Sequence, residues 1–181
     1  MVDVYLDSSA LVKRYVQEPG TPAVDSIFDR ASQGGATIAT SLWNLGEALG
    51  VLDYRRERRL LTEPDFHLAV QNLASEIVRL MRSGAMQVHP VRASLLVEAW
   101  TVVLAQHLYE ADALQISTCH SSKSRALITS DERLRKASLA LGLKAFDPEK
   151  QQDEIEELFE DQTADKNNQG SASFSKGNTA Y

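Results

Sequence analysis

Four acidic side chains stand where an alternating chain of strands and helices would gather them: Asp7, Glu47, Asp112 and Asp131. Asp7 closes a short apolar run (Val2, Val4, Leu6), and Asp131 closes a second, from Ala126 to Ser130; a helix-like segment follows each. In an open parallel sheet such positions lie along the carboxyl edge, where ligands bind. Glu47 and Asp112 fall on helices between them, in largely apolar surroundings. Two carboxylates about 5 Å apart repel by roughly 3 kcal/mol at an effective dielectric of about 20. Several such pairs approach a typical domain stability of about 5–15 kcal/mol, so the cluster must keep protons or bind a cation. Oxygen ligands favour Mg²⁺ or Mn²⁺ over zinc, and His67, His89, His107 and His120 are scattered. Such ions point to phosphate chemistry.

Each acid also has a plainer role open to it. Asp7 and Asp131 can cap the helices that follow them, and Asp112 can be a first-turn acid favoured by the helix dipole. Glu47 is the most telling. On a helical wheel Leu42, Leu45, Leu49 and Leu52 form the expected core stripe, with Glu47 pointing away from it. Yet Trp43, Gly50, Val51 and Tyr54 lie within roughly 60° of Glu47, so this acid is flanked by apolar residues, and Gly46 with Gly50 permits close backbone approach.

The elements that must position these groups follow from apolar periodicity and turn residues. Strands are expected at Val2–Leu6, Ala36–Ala39, Met86–Val91 and Arg125–Thr129, with a short fifth near Leu143–Phe146. Helices are expected from Ser8 or Ser9 to about Gln17, from Thr21 to Gly34, from Ser41 to Arg59 and from Thr62 to Ser83. Further helices run from Ser94 to Tyr109, nearly continuous with Ala111–Ser122, and from Asp131 to Leu141. Alternation of this kind predicts an α/β fold, with a mainly parallel sheet of four or five strands covered by helices on both faces, a three-layer α/β/α arrangement.

The chain of 181 residues suits one domain over residues 1–147, followed by an acidic extension over 148–181. Ile155, Leu158 and Phe159 would form one apolar edge of a short acidic helix, and Gln162–Tyr181 reads as disordered. Residues 147–181 hold nine acids and three bases, so the net charge of −6 sits there, and the 16 acids and 16 bases of residues 1–146 cancel. A polyanionic partner therefore remains compatible with the acidic composition. No stretch is long enough to cross a bilayer, the start lacks the pattern of a signal peptide, and the single Cys119 fits a reducing compartment. A cytoplasmic protein is expected.

Arg55, Arg56, Arg58 and Arg59 form the densest basic cluster. They could track RNA phosphates or simply oppose a helix C-terminal dipole. The helical arm between Ser41 and Ser83 could carry an apolar face for a protein partner. A haloacid-dehalogenase-type phosphotransferase needs an Asp two residues after Asp7, where Ser9 stands, and a receiver domain needs an Asp after a third strand, where Val88-His89-Pro90-Val91 offers none.

Val4-Tyr5-Leu6-Asp7-Ser8-Ser9-Ala10-Leu11, Glu47, Asp112-Ala113-Leu114-Gln115-Ile116-Ser117 and Ile128-Thr129-Ser130-Asp131 resemble the PIN-domain ribonucleases. Within them the chain is similar to the VapC toxins of toxin–antitoxin pairs, over residues 2–147. The resemblance implies a Mg²⁺- or Mn²⁺-dependent endoribonuclease acting on single-stranded or loop RNA. Asp7 and Asp112 would be principal metal ligands, Glu47 and Asp131 would complete the acidic pocket, and Ser8 or Ser9 with Thr129 would support them or touch phosphate. Its partners would be RNA, a cognate antitoxin and a second copy of the chain in a homodimer. The chain departs from the pattern in its long acidic extension and at Gln115, where the family often has His or another polar residue; that difference is expected to matter little. The competing expectation is a catalytically inactive PIN-like module that binds RNA or protein.

Overall fold

In strand β1 (Val2–Leu6), Val4 and Leu6 turn into one core and Tyr5 into the other, all without exposure, so the strand is covered on both faces. It pairs in parallel with β2 (Ala36–Ser41) and with β4 (Ala126–Ile128), placing Tyr5 beside Ala39 and Leu127. Strands β3 (Met86–His89) and β5 (Lys144–Phe146) close the edges in the order β3-β2-β1-β4-β5, every pairing parallel. The computed structural model describes residues 2–160.

Helices α1 (Ser8–Val12), α2 (Thr21–Ser32), α3 (Leu42–Glu57) and α4 (Glu63–Arg82) share the larger core with Val4, Leu6 and Ile38. Helices α5 (Ala93–Gln106), α6 (Glu110–Ser121) and α7 (Glu132–Ala140) lie over the face that carries Tyr5 and Leu127. The three layers are therefore as expected. α5 and α6 are separate helices because His107 adopts φ 53°, a left-handed conformation that ends α5. α1 stops at Val12, short of the expected Gln17, and its cap is Asp7, whose side chain accepts from the Ala10 amide, rather than Ser8 or Ser9. Among the described residues no helix is long and apolar enough to cross a membrane.

α3 turns a different face inward from the one expected. Asn44, Ala48 and Leu52 are buried, whereas Leu42 is 61% and Leu49 41% exposed. Small Ala48 and hydrogen-bonded Asn44 let α3 sit close on the sheet and α1, and Leu45 and Val51 fill only the margin. Spacing alone favours the larger leucines, but close approach favours the smaller residues.

The packed unit also runs past the expected boundary at residue 147. Residues 152–160 form a further helix, α8, and Ile155 (0% exposed), Leu158 and Phe159 enter the larger core. Buried Lys13 fastens the segment leading to it. Its Nζ donates to Glu149 at 2.7 Å, to Glu18 at 3.2 Å and to the Pro19 carbonyl at 2.9 Å. Gly20, at φ +87°, lies against Pro148, whose backbone would be 3.0 Å from any added Cβ. The expectation of disorder over Gln162–Tyr181 falls outside the described residues.

Replacing Ile155 with Ala should cost about 2–5 kcal/mol, the usual range for emptying a buried aliphatic site. Urea denaturation followed by circular dichroism reads this directly. A change below about 0.5 kcal/mol, the range of a surface substitution, would show that α8 is not part of the core.

Candidate functional site

Beside β1 the connections diverge, to β2 on one side and to β4 on the other, which leaves a crevice at the carboxyl ends of the strands. Asp7 follows β1 directly, and Thr129, Ser130 and Asp131 follow β4. The Asp7 carboxylate is only 2% exposed and has three donors. Ser9 Oγ reaches both oxygens at 2.8 and 2.9 Å, the Ala10 amide reaches Oδ1 at 2.8 Å, and Thr129 Oγ1 reaches Oδ2 at 2.6 Å. Thr129 Oγ1 also accepts from the Asp131 amide at 3.0 Å, and Ser9 Oγ accepts from the Ser130 amide at 2.9 Å. Two hydroxyls thus lace the turn after β1 to the turn after β4. Ser8, the third hydroxyl named from the sequence, makes no side-chain hydrogen bond among the described residues.

The remaining acids join this edge from separate helices. Asp131 caps α7, accepting from the Arg133 and Leu134 amides at 2.7 and 2.9 Å through Oδ1 and keeping Oδ2 without a donor among the described residues. Asp112 stands half-buried in the first turn of α6 and accepts no hydrogen bond among the described residues. Glu47, on α3, accepts from Gln115 Nε2 at 3.2 Å through Oε2. Both plainer roles considered for Asp7 and Asp131 hold: each is a helix cap as well as a member of the acidic edge.

Electrostatics link the four. Burial pushes Asp7 up to about 6 against the hydrogen bonds from Thr129, Ala10 and Ser9, and the charge of Asp131 adds to the rise. Burial likewise raises Asp112, followed by the charges of Asp131 and Glu47, while Arg133 opposes them. The acids therefore share one field without closing into a tight shell. Among the described residues no group of three or more His, Cys, Asp or Glu lies close enough together to hold a metal ion. The donor chemistry nonetheless fits a hard divalent cation, because the available atoms are carboxylate oxygens and several have no donor. Mg²⁺ typically takes one or two carboxylates and keeps several waters, so it does not need three direct protein ligands.

Three residues gain a role that the sequence did not disclose. Gln115, 3% exposed and one turn beyond Asp112, ties α6 to Glu47, although the residue type at this position is expected from the sequence to matter little. Asn44 accepts from Tyr5 Oη at 2.6 Å and from Ser41 Oγ, which clamps the turn of α3 just before Glu47 to the central strand. Arg133 stands near Asp112 and donates to the His107 carbonyl. The i, i+3 spacings of Gln115 from Asp112 and of Glu47 from Asn44 were visible, but which helix faces meet is a tertiary fact.

The basic cluster is less available than expected. Arg55 pairs with Glu18 at 2.6 Å, and Arg56 pairs with Asp53 at 2.6 Å and Glu63 at 3.3 Å while stacking on Phe66. Arg58 lies over the Tyr54 ring. Asp53 lies three residues before Arg56 on the same helix, whereas Glu18 and Glu63 lie outside α3, so local sequence shows the cations and hides two of their partners.

A family model described as PIN domain matches residues 4–139. No curated protein sequence matches the chain. Among solved structures, PAE2754 from Pyrobaculum aerophilum is 22% identical, with a TM-score of 0.56, over 85% of this chain and 95% of that one. VapC20 from Mycobacterium tuberculosis, described as a sarcin–ricin loop cleaving toxin, is 21% identical, with a TM-score of 0.55, over 74% of this chain and 94% of that one. FitAcB from Neisseria gonorrhoeae is 15% identical, with a TM-score of 0.51, over 80% of this chain and 97% of that one.

The raised Asp7 has a measurable consequence in metal-free protein. The folded state holds this proton more tightly than the unfolded chain, so the group's contribution is fully present below about pH 4 and is lost as pH rises through about 6. A rise of about two units corresponds to about 3 kcal/mol. Asp7→Asn should remove this decline, so that the variant gains on the wild type between pH 4 and 7 in urea denaturation with chelator present. Parallel stability profiles for the two proteins would show that Asp7 is not held in this way.

Proposed function

Because the chain belongs to the PIN domain family, whose members are typically nucleases, we propose that it is a Mg²⁺- or Mn²⁺-dependent endoribonuclease and the toxin of a toxin–antitoxin pair. The observation that carries this reading is the shared field of Asp7, Glu47, Asp112 and Asp131 at the carboxyl edge, with oxygens left open for a cation. The structural likeness to VapC20, described as a sarcin–ricin loop cleaving toxin, supports RNA as the substrate.

In this reading Asp7 and Asp112 are the principal ligands, with Glu47 and Asp131 completing the pocket. When bound, the cation supplies a Lewis acid for the phosphate and an activated water. Ser9, Thr129 and the Ala10 amide keep the Asp7 carboxylate from turning. Thr129 also sets the spacing between Asp7 and Asp131, and Gln115 fixes the orientation of Glu47. Water rather than the 2′-hydroxyl attacks phosphorus, losing a proton to solvent, and the P–O3′ bond breaks with the 3′-oxygen leaving and taking up a proton, so the products carry a 5′-phosphate and a 3′-hydroxyl. Exposed Leu42, Trp43, Leu49 and Tyr54 on α3 offer apolar area for an antitoxin, and Trp100 and Leu104 on α5 offer it for a second copy of the chain.

A non-catalytic binding module is the second reading, favoured by the absence of a tight three-acid shell among the described residues. Calorimetric titration with Mg²⁺ and Mn²⁺ separates the two: heat of binding supports the nuclease, and none supports the module.

Asp7→Asn and Asp112→Asn should each abolish RNA cleavage in Mg²⁺ while leaving the circular dichroism spectrum intact. Cleavage by Asp7→Asn at the wild-type rate would refute the assignment. Gln115→Leu should lower the rate by about 10–100-fold, the usual effect of removing a group that orients a metal ligand, with partial recovery in Gln115→His. Wild-type rates in Gln115→Leu would leave that side chain a packing role only.

A further inference from the structure

A groove of about 570 Å³ lies between the end of α5 and the outer face of α7. Leu108, Ala137 and Ala140 make its floor, and Gln106, Arg133 and Lys136 line its rim together with Glu132. Its rim residue Arg133 follows the Asp131 cap by two residues and its charge is felt by Asp112, so this end of the groove neighbours the acidic edge. Arg133 also donates to the His107 carbonyl, which ties α7 to the turn carrying Tyr109, whose ring is 72% exposed.

From this juxtaposition we infer that the groove is the RNA track of the protein, seating the nucleotide next to the scissile phosphate. The inference rests on the ribonuclease reading of the acidic edge. A strand leaving that edge carries a negative charge at every step, and the first protein cation beside the acids is Arg133, with Lys136 one turn further along the same helix. Lys136 engages only the exposed Glu132, at 2.7 Å with both side chains more than 60% exposed, a pair that phosphate can displace. The apolar floor accepts a ribose or base, and exposed Tyr109, next in sequence to the lining residue Leu108, is an aromatic ring of the kind on which an unpaired base stacks. The groove volume lies within the roughly 300–1,000 Å³ common for sites that hold small organic groups. By contrast, Arg55 and Arg56 at the end of α3 are already occupied by Glu18, Asp53 and Glu63.

The test uses the full chain carrying Asp7→Asn, so that fluorescently labelled single-stranded RNA binds without being cut. Adding Lys136→Glu should weaken RNA binding by about tenfold and reduce the slope of log affinity against log salt by about one. Adding Tyr109→Ala should weaken binding by about fivefold or more, as loss of one stacked base does, and leave the salt slope unchanged. Both side chains are exposed, so the variants fold, and their circular dichroism spectra should match that of the Asp7→Asn parent. If wild-type protein cleaves RNA and Lys136→Glu binds with unchanged affinity and salt slope, the groove is not the track and the ribonuclease reading stands. If wild-type protein neither binds nor cleaves RNA, both fall together. Lys136-dependent binding of a hexaglutamate peptide without RNA binding would assign the groove to an acidic protein segment and overturn the inference.

Discussion

The Asp7 carboxylate, buried at the carboxyl end of the central strand, is the constraint on which the rest depends. A carboxylate so deeply placed is costly unless its oxygens find donors, and here the donors come from both sides of the crevice. Ser9 and Ala10 belong to the turn after β1, and Thr129 to the turn after β4. The same hydroxyls accept from the Asp131 and Ser130 amides. Satisfying one buried acid therefore fixes the second, because Thr129 cannot serve Asp7 without also positioning the backbone of Asp131.

From that pair the field spreads to groups carried on other helices. Asp112 feels Asp131 and Glu47, and Glu47 is steadied by Gln115 and, through the turn before it, by the contact of Asn44 with Tyr5. Three of the acids are thus held by different supports, Asp7 by hydroxyls, Asp131 by a helix N-terminus and Glu47 by a side-chain amide, while Asp112 accepts no hydrogen bond among the described residues. What the edge lacks is enough positive charge, and Arg133 is the cation that offsets Asp112. Such an imbalance of charge costs stability at neutral pH.

Much of the frame was legible before any coordinates. Alternating strands and helices predicted a parallel sheet, and the position of Asp7 and Asp131 after apolar runs placed them on one edge. The errors share one cause. The inward face of α3 was misjudged because periodicity ranks leucine above Ala48 and Asn44, whereas the close approach of α1 and the sheet selects the smaller residues. The ion pairs of Arg55 and Arg56 with Glu18 and Glu63 are not legible around Tyr54, because both acids lie outside the helix that carries the arginines. Composition puts the boundary at 147, while Lys13, which holds Glu149, lies 136 residues from it in sequence.

Local residue types alone determined the strands, most helix starts, the four acids and their order along the chain. These follow from short-range preferences: backbone sterics, capping and the period of apolar side chains. Tertiary structure decided which oxygens remain open, that Gln115 faces Glu47, that Arg133 rather than Arg55 stands by the acids, and that α8 closes the core. Those outcomes depend on distances between groups far apart in sequence, and only the packing of whole helices on a twisted sheet sets such distances.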